Sequence, residues 1–338
     1  MKLSAKNIIT FAAAFGFTLC LAACGAKQGT EGADKKAMDF PKKPVTVVVP
    51  YGAGGGNDTV ARMLASVSDQ YLGQKLVVEN QGGGNTIPGS ASVAKADPDG
   101  YTILLNNNTS ITAVTQVYEA GFDPREDLIP FATPGTYSNV ICAGPAAPAK
   151  TAEEFIAYCK EHPGEVTISC AGYADATGLT VFRMMDAMGI ECQVIPFTSG
   201  SEQISNLLGG HVMYSSVAGG NVVKHAQEGT VVPIIETCGI EDNSYKVPTL
   251  ADLGYEEALT PICRMFYAPK GTPDEVLDIL AAAFEKMFQD EEMQKMFGEI
   301  YEPLDHSSVD RKQLTEDHLN DYEDFGTIIT ELDLKSKV

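Results

Sequence analysis

The chain of 338 residues has no tryptophan, and only 24 lysines and arginines against 45 aspartates and glutamates. The missing tryptophan carries no functional message. The shortage of positive charge does: a formal net charge of −21 argues against nucleic acid or an anionic lipid surface as partner. A small anion stays open as a ligand, because local amides and helix ends outweigh distant charge. No C-x-x-C or zinc-like cysteine spacing occurs, no H-E-x-x-H, no nucleophile elbow and no Gly-Lys-Ser/Thr after a glycine-rich loop. The histidines His162, His211, His225, His306 and His318 are scattered, and Asp97 and Asp99 bracket a turn with no calcium-loop spacing after it. No catalytic constellation is legible. The expectation is a protein that is not an enzyme and has no cofactor and no metal.

What is present is a core-forming composition, 44% hydrophobic, in a chain long enough for two domains of roughly 150 residues each. The organising stretch is Pro50-Tyr51-Gly52-Ala53-Gly54-Gly55-Gly56-Asn57-Asp58. It follows the apolar run Val45–Val49, which predicts a buried strand, and precedes a helical pattern over Thr59–Leu72. Three consecutive glycines leave amide N–H groups unshielded, and Asn57 or Asp58 caps the helix. The expectation is a site for phosphate, sulfate or carboxylate, with an ordinary glycine turn as the plain alternative. A dinucleotide fingerprint would need glycine where Asn57 stands. Asp58 and Arg62, four apart on one helix face, predict an ion pair.

Along the chain, residues 1–24 read as a secretory leader: Lys2 and Lys6, then an apolar segment from Ile8 to Leu21, shorter than the ~20 residues of a membrane span. Removing it takes the net charge to about −23. Its end, Leu21-Ala22-Ala23-Cys24-Gly25, resembles a bacterial lipobox, which implies cleavage before Cys24 and a lipid on its sulfur. Residues 25–40 read as a flexible tether. From Pro41 the chain alternates strands with helices. Strands are predicted at Lys75–Glu79, Thr102–Leu105, Val140–Ala143, Val166–Ser169, Gln193–Pro196, Val212–Ser215, Val231–Ile235 and Arg264–Ala268. Helices are predicted at Ser90–Ala96, Ala152–Glu161 (with a capping box at Thr151 and Glu154), Leu179–Met188, Ser201–Leu208, Asp274–Phe288, Glu291–Phe297 and Arg311–Leu332. Such alternation predicts parallel sheets covered on both faces. Beyond Cys20 and Cys24, six cysteines remain: Cys142, Cys159, Cys170, Cys192, Cys238 and Cys263. Their scatter in apolar contexts predicts mostly free thiols and an anaerobic habitat, with one or two disulfides left open.

The segment Val49–Arg62 resembles the first ligand loop of the tripartite tricarboxylate transporter substrate-binding proteins, the Bug or TctC family. So do Leu72-Gly73-Gln74-Lys75-Leu76-Val77-Val78-Glu79-Asn80, Val93–Thr102, Ile204-Ser205-Asn206-Leu207-Leu208-Gly209-Gly210, Val247–Gly254 and Ala268-Pro269-Lys270-Gly271-Thr272-Pro273. They are collinear over nearly all of 41–300. Two segments depart from the family pattern: Asn85-Thr86-Ile87-Pro88-Gly89, and the second-domain loop Ala171–Gly178, which lacks the usual histidine.

The resemblance implies an α/β, two-lobed periplasmic-binding-protein fold of the second type (Venus flytrap) with two crossover strands, near Thr136–Val140 and Met265–Ala268. Lobe 1 would be 41–138 with 267–338, and lobe 2 would be 139–266. It implies an extracytoplasmic, lipid-anchored monomer that captures a small di- or tricarboxylate and delivers it to the large and small membrane subunits of the transporter. A sensing module for a membrane kinase, or a binder of an amino acid or aromatic carboxylate, are the rivals. The implied ligand residues are Tyr51, Gly54, Gly55, Gly56, Asn57 and Asp58 from the first loop, and Tyr173, Ala174 and Thr177 from the facing loop. Asn106, Asn108, Thr109, Thr198, Ser199, Ser216 and Ala218, after predicted strands, complete the cleft.

Overall fold

The computed structural model describes residues 39–338 apart from Asp242. The expected leader, most of the expected tether and Cys24, the expected site of lipid attachment, lie outside the described residues.

Strand β1 (Val45–Val49) runs into α1 (Gly56–Leu72), followed by β2 (Leu76–Asn80), α2 (Ile87–Ala94), β3 (Thr102–Asn107), α3 (Asn108–Val117), α4 (Pro124–Asp127) and β4 (Leu128–Thr136). Val60, Leu64 and Val67 repeat at helical spacing and bury one face of α1, and Gly73 ends it in the left-handed conformation. The second half comprises β5 (Asn139–Ala143), α5 (Ala152–Glu161), β6 (Val166–Cys170), α6 (Ala176–Met188), β7 (Cys192–Pro196), α7 (Gly200–Leu208), β8 (Tyr214–Ala218), α8 (Val223–Gln227) and β9 (Val232–Glu236). The chain then returns through β10 (Cys263–Pro269) and ends in α9 (Asp274–Gln289), α10 (Glu291–Glu299), α11 (Arg311–Glu331) and α12 (Leu334–Lys337).

Two five-stranded sheets result, ordered β2-β1-β3-β10-β4 and β7-β6-β8-β5-β9. Neither is wholly parallel, contrary to the expectation from alternation. β10 runs antiparallel to β3 and β4, and β5 runs antiparallel to β8 and β9. The reversed strands are the ones the chain uses on entering the second sheet and returning to the first, where no crossover helix sets the direction. Each sheet has its own core. Val45, Val47, Val49, Phe131, Phe266 and Phe284 centre the first, and Ile141, Phe155, Ile168, Tyr214 and Ile235 the second. A third cluster joins Ala113 and Val114 of α3, Leu179 and Phe182 of α6, and Phe325 and Ile329 of α11.

Elements α3, α4, β4, α8 and α12 were not expected from the sequence, and two of them show why. Asn108–Val117 is a helix although Asn, Thr and Ser are poor helix formers; its first seven residues are all buried, so packing overrides propensity. Leu128–Thr136 is a nine-residue strand although it holds Pro130, Pro134 and Gly135. It is an edge strand with register shifts against β10, where a missing N–H is tolerated.

Candidate functional site

Four of the helices α1, α3, α6 and α7 begin just beyond the carboxyl ends of β1, β3, β6 and β7. This is where open α/β sheets bind ligands. Residues from these junctions surround a cavity of about 40 Å³. Tyr51, Gly55, Gly56 and Asn57 come from the first loop, Asn107 from the end of β3, Asp175 and Thr177 from the start of α6, and Gly200 and Gln203 from α7. Tyr137, Ala171, Val217, Ala218, Asn221 and Arg264 complete the lining. A wider space of about 280 Å³ shares Tyr51 and Ala171 and is bordered by Gly83, Asn85, Thr198 and Glu202.

The first loop presents bare backbone because α1 begins at Gly55 without a side-chain cap. Of the other three starts, α3 at Asn107 likewise has no side-chain cap, whereas Asp175 accepts from Thr177 N on α6 and Ser199 accepts from Glu202 N on α7. A helix start left uncapped carries unpaired N–H groups and the positive end of the helix dipole. The loop touches the opposite half directly, Gly52 N donating to the Thr198 carbonyl at 3.2 Å and Ser201 Oγ to the Ala53 carbonyl at 3.1 Å.

Tyr51 ties the two halves together beneath this loop. Its hydroxyl lies 2.9 Å from Asp175 Oδ2, 2.9 Å from Ser110 Oγ and 3.1 Å from Asn106 Oδ1, and it accepts from Asn107 Nδ2 at 3.1 Å. Burial, reinforced by the Asp175 charge, raises the hydroxyl well above its usual pKa, so it stays protonated. The Asp175 carboxylate is saturated. Oδ1 accepts from Thr177 N and Oγ1 at 2.9 and 2.8 Å, and Oδ2 accepts from Ser110 Oγ at 2.7 Å as well as from Tyr51.

Arg264 is the group that sequence reasoning missed. It is only 1% exposed, the second residue of β10. Nε donates to Asn57 Oδ1 at 2.7 Å, Nη1 and Nη2 both donate to the Glu302 carboxylate, and the guanidinium lies 3.8 Å from the Tyr137 ring centre. Burial raises the Glu302 carboxyl, and Arg264 pulls it back. The signal of Arg264 in the sequence was one charged residue inside the apolar run Cys263–Ala268, a pattern seldom buried without a partner. Glu302, 38 residues on, gave none.

Of the residues implied by resemblance, Tyr51, Gly55, Gly56, Asn57, Thr177 and Ala218 line the cavity. Gly54 does not: its amide donates to Asp58 Oδ2 at 2.8 Å and is spent within the loop. Asp58 forms the expected pair with Arg62, 2.9 Å from Oδ1. Burial alone would raise Asp58, but Arg62, the Gly54 amide and Asn80 hold it below the usual range. Asn106 sits behind Tyr51, accepting from Asn107 N at 2.8 Å. Asn108 bridges Asp321 and the Cys263 amide, with Thr109 buried beside it. Tyr173 and Ala174 pack in the cluster shared by α3, α6 and α11. Thr198 borders the wider space, Ser199 caps α7, and Ser216 Oγ donates to the Thr177 carbonyl at 2.9 Å. Asn107 and Asp175 line the cavity from within the expected segments Asn106–Ser110 and Tyr173–Gly178, although neither was named by itself; Gln203 and Asn221 line it without having been singled out.

The family model for the tripartite tricarboxylate transporter family receptor matches residues 60–334. Protein BugT of Bordetella pertussis is 28% identical over 286 residues, covering 83% of this chain and 88% of its own. The structure of the periplasmic binding protein BugD superposes with a TM-score of 0.80 at 26% identity, over 87% of this chain and 99% of that one. Two Rhodopseudomonas palustris structures share the fold. MatC with bound malate gives a TM-score of 0.79 at 22% identity over 86% and 100% of the two chains. Rpa4515 with adipate gives 0.81 at 21% over 87% and 99%.

Proposed function

The chain belongs to the tripartite tricarboxylate transporter receptor family, and on that premise we propose that it is an extracytoplasmic solute-binding protein for a small carboxylate. The carrying observation is the uncapped start of α1 at Gly55–Asn57, set beside buried Arg264 at one cavity between the sheets. Converging amides stabilise a negative charge in a dry site without mobile counterions. Arg264 acts at one remove. Three of its five N–H donors go to Asn57 and Glu302, which fixes the guanidinium so that it orients Asn57 and adds positive potential at the cavity. The cavity of about 40 Å³ has room for about three or four waters at about 10–15 Å³ each, so a dicarboxylate enters by parting the two sheets.

In this reading residues 41–138 with 267–338 form one lobe and 139–266 the other. Residues 25–40 tether them to a lipid on Cys24. The monomer captures its ligand without chemical change and presents it to the large and small membrane subunits of the transporter. Malate in MatC and adipate in Rpa4515 support a dicarboxylate as the ligand class. A thermal-shift screen of di- and tricarboxylates, amino acids and aromatic acids tests this. A ligand at 100 times its dissociation constant adds about 2.7 kcal/mol. A panel in which no carboxylate raises the melting temperature refutes the reading.

A further inference from the structure

Asn107 lines the cavity, is 95% buried by its exposure of 5%, and its Oδ1 has no hydrogen-bond partner among the described residues. Buried acceptors in native proteins rarely stay unpaired, and each one asks for an explanation.

The orientation of the amide follows from its neighbours. A phenol oxygen 2.9 Å from a carboxylate oxygen requires a proton between them, so the single Tyr51 hydrogen goes to Asp175 Oδ2. The Tyr51 oxygen is then an acceptor, and the Asn107 group 3.1 Å from it must be the NH₂. Turning the amide over would set two lone pairs against each other. The Tyr51 hydroxyl also lies 3.1 Å from Asn106 Oδ1, an acceptor fixed by the Asn107 backbone N–H at 2.8 Å, so whichever of the two acceptors takes the Tyr51 hydrogen, none is left for the Asn107 side chain. Asn107 Oδ1 is therefore held as an acceptor by a network that crosses both halves of the molecule.

A plain carboxylate has no hydrogen to give it. We infer that the ligand carries a hydrogen-bond donor beside its carboxylate, a hydroxyl or an ammonium group, which Asn107 Oδ1 accepts. This rests on the carboxylate reading of the same cavity and narrows it to substituted acids. Asn107 becomes the residue that separates a substituted acid from its unsubstituted counterpart. A site built to pair a polar substituent leaves its own group unpaired when the substituent is missing, and so rejects the plain analogue.

Calorimetric titration of the folded chain with succinate, L-malate and L-aspartate, which share a four-carbon diacid frame, tests the inference. The expected result is that malate or aspartate binds at least about 10-fold more tightly than succinate. Malate ahead assigns the donor as hydroxyl, aspartate ahead as ammonium. In Asn107→Leu, with folding checked by circular dichroism, the preference should fall to within about 3-fold, chiefly by loss of affinity for the substituted acid. Succinate binding as tightly as both others in the wild type overturns the inference alone, and so does an unchanged preference in Asn107→Leu. If the variant does not fold, the wild-type comparison still decides. Binding of none of the three overturns the carboxylate reading and the inference with it.

Discussion

Replacing Gly56 with alanine tests the site at its tightest point. A Cβ on residue 56 would stand 2.6 Å from Arg264 Nη2, with Ala218 Cβ at 3.6 Å and Asn221 Oδ1 at 3.7 Å. Most side chains would swing away, but Arg264 is held by Asn57, by Glu302 and by the Tyr137 face. Moving the guanidinium by the ångström or so required loosens a buried ion pair. Overpacking of this kind costs about 1–3 kcal/mol. Alanine returns less than the ~1 kcal/mol it gains over glycine in a helix interior, because position 56 is the first residue of α1. The expected net loss is about 2 kcal/mol, or, at about 2.1 cal/mol/K of unfolding entropy per residue over roughly 300 residues, a melting temperature lower by about 3 °C. Carboxylate affinity should fall together with it, since the same displacement moves Asn57. Gly298→Ala is the control. That glycine lies in α10 with nothing within 4 Å of its added methyl, so the variant should melt at or slightly above wild type. Both melts are read by circular dichroism. A Gly56→Ala protein within about 1 °C of wild type would refute the claim that Arg264 is immobile, because a yielding side chain absorbs the methyl at small cost.

Arg264→Met should cost about 3–5 kcal/mol near pH 8, where the Glu302 carboxylate is left buried without its partner. Burial raises the Glu302 pKa in the folded protein, so the stability it allows is present below the unfolded carboxyl pKa near 4.3 and lost as pH climbs through the raised value. Without Arg264 that rise is larger, and the variant's deficit in urea melts should be smaller at pH 5 than at pH 8; a deficit independent of pH would count against the pairing. Cys24→Ala should release the protein from membranes, and mass spectrometry of the mature terminus checks the lipid; an unmodified terminus at another residue removes the anchor from the reading.

The first ligand loop was legible because its chemistry is local. An apolar strand, three glycines and an amphipathic pattern lie within some thirty residues, and β1 and α1 stand where expected, but the cap expected from Asn57 or Asp58 is not made: the N-cap is Gly55, which has no side chain to give one. The ion pair of Asp58 with Arg62 was legible for the same reason. The capping box of α5 was half right. Thr151 caps Glu154 N, but the Glu154 carboxylate turns to Lys150 N. What stayed hidden depends on distant partners. Nothing in the run Asn106–Ser110 marks it as the end of β3 and the first turn of a buried helix, and only tertiary packing makes it so. Asp175 reads as an ordinary cap until Tyr51 and Ser110, from the other sheet's side, are seen to share its second oxygen. Arg264 becomes intelligible only with Glu302 and Asn57 beside it.

The apolar cluster that joins α11 to α3 and α6 sets a thermodynamic condition on the whole molecule. By sequence α11 follows strands of the first sheet, yet Phe325 and Ile329 share their packing with Leu179 and Phe182 of the second half. Any parting of the sheets that admits a ligand must slide or expose that packing, and so works against a hydrophobic restoring force remote from the cavity. The measured dissociation constant is the intrinsic one divided by the fraction of molecules ready to bind. Ile329→Val, a change remote from the cavity, should therefore move affinity by changing that fraction, and evolution could tune capture for a scarce or an abundant solute from α11 alone.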